Sequence, residues 1–177
     1  HAAPGLVMFA NSTRVDFTFA ALIGRRTGGG LVQGSMGAPL LVTPFTPSAG
    51  VRLSEKFVLG ESGAPTTSCL SRAVEHFSAD AGWLRPNSSL GIMCVQNTLE
   101  QLPGDTSAWL ALLRAATGKT RTQLTVSSIA NFTRACPGPD DGPLSSAARA
   151  TFGSTETICT PDGGLALDGV WPTIVGV

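Results

Sequence analysis

Leu90-Gly91-Ile92-Met93-Cys94-Val95-Gln96-Asn97-Thr98-Leu99-Glu100-Gln101-Leu102 is the stretch on which the fold turns, because it admits two readings. Ile92, Val95, Leu99 and Leu102 suit one face of a helix, whereas the apolar run Gly91 to Val95 suits a buried strand. Its neighbours on both sides read as helices. Upstream, Leu70, Ala73, Val74 and Phe77 stand at i, i+3, i+4 and i+7, a spacing that gathers them on one face, with Thr67 or Ser68 able to cap the first turn. Downstream, Trp109, Leu112, Leu113 and Ala116 repeat the spacing. Asp105 or Thr106 is placed to cap that helix, Arg114 lies toward its C-terminus, and Gly118 supplies a stop.

Farther out, the period changes from helical to alternating. Residues Gln123 to Ile129 alternate as a strand with one buried face. Cys136 to Pro143 is a Pro-, Gly- and Asp-rich loop that cannot hold regular structure. Leu144 to Phe152 predicts a short helix, and the turn at Pro161 to Gly164 leads to a last strand from Leu165. In the N-terminal third, Val15, Phe17, Phe19 and Ala21 alternate with other residues, and Val51, Leu53, Phe57 and Leu59 do the same with Glu55 as a break. Leu6 to Ala10 and Leu40 to Thr43 are shorter strand candidates, and Gly28, Gly29 and Gly30 suit a turn needing positive φ. Together these periods predict an α+β fold: an antiparallel sheet from the N-terminal half and the late strands, two or three helices on one face, and two disulfides. At 177 residues the chain is expected to form a single extracellular domain spanning residues 1–177.

Composition narrows the class. Charged residues make up 14% of the chain and the formal net charge is zero, which gives no electrostatic footprint for nucleic acid or an anionic membrane, so neither is expected as a partner. No apolar run approaches the ~18 residues of a membrane helix, so no direct membrane insertion of this domain is expected. Ten of the twelve basic residues are Arg and Tyr is absent, which points to genome bias and carries no chemistry.

Two independent patterns point outside the cell. Three of the four asparagines head an Asn-x-Ser/Thr acceptor pattern: Asn11-Ser12-Thr13, Asn87-Ser88-Ser89 and Asn131-Phe132-Thr133. Cys69, Cys94, Cys136 and Cys159 are even in number, form no Cys-x-x-Cys pair, and lack the nearby histidines of a zinc site. Two disulfides are expected, and short-loop closure favours Cys69 with Cys94 and Cys136 with Cys159 among the three connectivities. Both patterns fit an oxidising, glycosylating compartment.

Three constellations offer chemistry. Gly60-Glu61-Ser62-Gly63-Ala64 follows a predicted strand and precedes a predicted helix, and over these five residues it resembles the nucleophile elbow of esterases. Ala64 replaces that pattern's last glycine, and no histidine follows His76 to act as base. His1 and His76, the only histidines, resemble the histidine brace of fungal copper oxygenases and their non-catalytic relatives, which implies copper held by an N-terminal amine and two imidazoles. Arg25 and Arg26 beside the glycines offer a basic tip for a protein partner. The leading expectation is a secreted, cell-surface or viral-surface glycoprotein domain without a cofactor, acting non-enzymatically in protein binding, adhesion or assembly. The alternatives are a secreted copper-binding protein using His1 and His76, and a secreted serine hydrolase using Ser62.

Overall fold

Residues 90–96 are a strand, and with that the architecture of the C-terminal part follows. A computed structural model of the chain describes residues 8, 10–12, 14, 16–18, 20, 41–49, 69–96, 104–130 and 142–157. The chain divides into two compact units, His1–Pro65 and Thr66–Val177. In the second unit helix α1 (Cys69–Ala79) precedes strand β1 (Leu90–Gln96), helix α2 (Thr106–Thr117) precedes β2 (Leu124–Ala130), and helix α3 (Pro143–Ala150) precedes β3 (Thr155–Thr157). The strands form one sheet in the order β1-β2-β3, and both pairings are parallel. Leu90 lies opposite Leu124 and Cys94 opposite Ser128, while Ser128 lies opposite Thr155.

This overturns the expected antiparallel α+β sheet. A helix stands between each pair of successive strands and returns the chain to the edge where the previous strand began, so the strands must run the same way. The burial of β2 agrees. Leu124 and Val126 share one face, Ser127 and Ile129 the other, and all four are essentially inaccessible. Strands covered on both faces are the mark of parallel sheets, and the clean alternation of a one-sided sheet is accordingly absent.

The N-terminal strands do not replace it among the described residues of the first unit. Met8 and residues 10–12 have helical backbone, where Leu6 to Ala10 predicted a strand; the carbonyl of Asn11 accepts from the Arg14 amide at 3.1 Å. Residues 16–18 are irregular, although Phe17 is buried as its apolar position suggested. Val42 makes an isolated bridge and is fully buried, and the next residues turn, with the Thr46 amide donating to the Thr43 carbonyl at 3.0 Å. The candidate strand at Val51 to Leu59 and the last strand from Leu165 lie outside the described residues.

In the second unit one face of the sheet meets the helices. Cys94, Leu124 and Val126 form a continuous core with Leu70, Ala73 and Phe77 of α1, Leu110 and Leu113 of α2, and Leu144 and Ala147 of α3. The α1 face is the predicted one. The α2 face is turned by one position: Leu110, Leu113 and Thr117 are buried, Trp109 is half-buried and Leu112 is exposed. A threonine is tolerated in that stripe because its hydroxyl donates to the Leu113 carbonyl at 2.7 Å. The helix starts at Asp105, whose carboxylate accepts from the Ser107 amide at 3.2 Å and from the Ser107 hydroxyl, and it ends at Gly118 with φ 68°.

The α3–β3 junction is the tightest part of the unit. Ser145, Ala147 and Ala148 are small and buried, which lets α3 approach β2 closely. The Val126 amide donates to the Thr151 hydroxyl at 2.9 Å, and that hydroxyl donates to the Ala147 carbonyl at 2.8 Å. Phe152 follows in the left-handed region with φ 57°, and the Gly153 amide donates back to the Ala148 carbonyl at 2.9 Å, the bond that closes a Schellman C-terminus. A Cβ on Gly153 would stand 1.8 Å from the Val126 carbonyl oxygen. Only glycine fits.

Candidate functional site at the Asn87 turn

Between α1 and β1 the chain makes two successive turns, closed by the Leu84 amide to the Ala81 carbonyl at 3.0 Å and the Ser88 amide to the Arg85 carbonyl at 3.2 Å. Trp83 fixes the first. Its ring lies 5.8 Å from Phe77 and 6.5 Å from His76, which places the turn on the C-terminal end of α1. The Trp83 Nε1 and His76 Nε2 atoms are buried there without a hydrogen-bond partner.

Lys119 fixes the second turn. It follows the Gly118 cap of α2 and is 4% exposed, a rare state for a lysine. Its Nζ donates to the carbonyls of Arg85, Pro86 (3.2 Å) and Ser88 (2.8 Å), and contacts the Ser88 hydroxyl at 3.3 Å. Among the described residues no carboxylate takes part in this cage, and carbonyl dipoles balance the ammonium. Burial pushes the Lys119 pKa below its ordinary value, and the nearby Arg85 charge pushes it the same way. Gln123 completes the frame: its carbonyl accepts from the Leu90 amide at 2.7 Å, its side-chain amide reaches the Pro86 carbonyl at 3.4 Å, and its Oε1 accepts from the Thr120 amide at 3.1 Å.

Asn87 sits at the exposed tip of this held turn, with Ser89 also exposed and β1 beginning one residue later. A carboxamide on solvent-facing backbone, with a hydroxyl residue two positions on, is the chemistry an N-glycan acceptor requires. Behind the turn, Cys69 at the start of α1 is bonded to Cys94 in β1, with Cα atoms 5.8 Å apart. The expected pairing of these two cysteines is therefore present. Sequence reading missed Lys119 altogether, although its position directly after a helix-ending glycine, in a chain with only two lysines, was visible.

The other predicted residues fall as follows. Asn11 is exposed on the helical turn of the first unit. His76 belongs to the aromatic cluster with Phe77, whose ring is 5.3 Å away. Among the described residues no group of His, Cys, Asp and Glu is placed to hold a metal ion. His1, Arg25, Arg26, Ser62, Asn131, Cys136 and Cys159 lie outside the described residues. No described helix is long and apolar enough to cross a membrane. No protein-family model matches the chain, and no curated protein matches it.

Proposed function

We propose that this chain is a secreted or surface-exposed N-glycosylated domain that acts by binding another protein or by self-assembly, without catalysing a reaction. The observation that carries the compartment is the Cys69–Cys94 disulfide, a bond that persists in oxidising surroundings and is rare in the cytosol. The exposed Asn87 turn supports the same reading, since a glycan there has solvent on which to extend.

Support for binding comes from Phe152. The residue is 81% exposed and lies in the left-handed backbone region that favours glycine. The backbone conformation costs stability, and a contact role for the exposed Phe152 side chain accounts for its retention. We propose Arg25 and Arg26 as a separate basic contact tip, with Asn11, Asn87 and Asn131 marking ground a partner leaves uncovered. The test is sedimentation velocity of the secreted protein across a concentration range, alone and with any captured partner, for the parent and Phe152→Gly. Replacing Phe152 relieves about 1–2 kcal/mol of backbone strain against about 0.4–1 kcal/mol of added unfolded-state freedom, so folding is retained or slightly improved. Weakened association at improved stability is the expected result. Unchanged association removes Phe152 from the contact.

A further inference from the structure

We propose that Asn87 is open to sugar transfer only until Lys119 docks, so that glycosylation at this site precedes folding of the Thr66–Val177 unit. The inference rests on the reading above that the chain passes through a glycosylating compartment. In the transfer, the Asn87 amide nitrogen bonds to the anomeric carbon of a polyprenyl-pyrophosphate-linked oligosaccharide. The carbon–oxygen bond to the pyrophosphate breaks, the lipid pyrophosphate leaves with the electron pair, and a base takes the amide proton.

The transferase must seat Asn87, Ser88 and Ser89 in a conformation of its own choosing, with the Ser89 hydroxyl beside the amide. In the folded unit these three residues have little freedom. The Ser88 amide and hydroxyl both donate to the Arg85 carbonyl, at 3.2 and 2.9 Å, and Lys119 Nζ is bonded to the carbonyls of Pro86 and Ser88 on either side of Asn87. Leu90, immediately after the acceptor triplet, is already paired to Gln123. Exposure of the Asn87 side chain is thus not access to the backbone conformation the reaction needs. Reaching it requires withdrawal of a buried ammonium from its cage.

The latch also arrives late. Lys119 lies 31 residues beyond Ser88, so at the ribosome's ~5–20 residues per second the acceptor triplet is exposed for roughly 2–6 s before its lock has been made. Modification in that window is compatible with the final fold, because the Asn87 side chain ends in solvent.

The experiment uses the full chain made without sugar, in two states: folded with the Cys69–Cys94 bond intact, and reduced, alkylated and unfolded. Each is incubated with purified oligosaccharyltransferase and a polyprenyl-pyrophosphate oligosaccharide, and occupancy at Asn87 is followed by peptide mass. Transfer to the folded chain is expected to be at least about tenfold slower than to the unfolded one, because it waits on local opening. Lys119→Met, with its disulfide intact and its unfolding cooperative, is expected to recover much of the difference. Equal rates for folded and unfolded parent chains overturn the latch while leaving Asn87 an acceptor. No transfer even to the unfolded chain overturns Asn87 as an acceptor and the latch with it. A folded Lys119→Met that accepts sugar as slowly as the folded parent overturns the latch, and if Lys119→Met does not fold, Lys119→Gln is compared with the parent in the same way.

Discussion

Gly153→Ala is a severe change for a single methyl group. The added Cβ would lie 1.8 Å from the Val126 carbonyl oxygen, 2.6 Å from its carbon and 3.0 Å from Ser127 Oγ. Two of the three are backbone atoms of the central strand, which cannot swing aside as a side-chain tip could. Restoring a normal separation moves the 151–154 segment more than an ångström from β2. Three hydrogen bonds span that gap: Val126 amide to Thr151 hydroxyl at 2.9 Å, Ser128 amide to Ser154 carbonyl at 2.9 Å, and Ser154 amide to Ser127 hydroxyl at 3.2 Å. At about 1 kcal/mol for each bond, and more where a buried donor is left unpaired, the loss is about 3–5 kcal/mol. Urea unfolding followed by circular dichroism measures it as a lowered midpoint at unchanged slope. A Gly153→Ala protein within about 1 kcal/mol of the parent would refute the close docking of the α3–β3 junction on β2.

Other changes separate the remaining parts of the account. Replacing both Cys69 and Cys94 with Ala opens a loop of sequence separation 25 and is expected to cost about 3.5 kcal/mol by chain entropy, read from chemical denaturation without reductant. Lys119→Met should cost about 1–3 kcal/mol, because the Arg85 and Pro86 carbonyls can regain water, and amide exchange at Ser88 and Leu90 should accelerate while that at Val126 does not. The Asp105 carboxyl is held below its ordinary pKa of 3.8, first by the Ser107 hydroxyl and then by the Ser107 amide. Its contribution is therefore present above the unfolded value and lost as pH falls through the folded one. An acid titration of helicity should lose that component in Asp105→Asn.

The helices were legible because their signals are local. Asp105 and Gly118 bracket α2 as their side-chain and backbone chemistry requires, and Leu70, Ala73 and Phe77 need only the helical period to be grouped. The phase of α2 was not legible. Trp109 and Leu113 share a face in the helix, but the choice between the Trp109–Leu112 side and the Leu110–Thr117 side is made by the sheet beneath, and threonine in the buried stripe disguised it. Strand direction was hidden for a related reason. In β2, Ser127 and Ser128 interrupt the apolar run of a doubly covered strand and imitate the alternation of an exposed one. β3 was missed because three residues, Thr155 to Thr157, carry too little pattern, and its docking depends on contacts from Thr151 and Gly153 to a distant strand. The Asn87 turn could be read as an acceptor motif from three letters. That a lysine far along the chain fastens it is tertiary information.

One peptide carries both halves of the central claim. Trypsin cuts after Lys56, Arg72 and Arg114 and spares the Arg85-Pro86 bond, so a non-reducing digest of the protein recovered from a secretory host should join residues 57–72 to residues 73–114 through Cys69 and Cys94. The account predicts that this linked pair appears with the added mass of an N-glycan, that glycosidase treatment leaves Asp in place of Asn87, and that reduction separates the two peptides. Thiol-labelled Cys69 and Cys94 on separate peptides, with Asn87 at its bare mass, would contradict it.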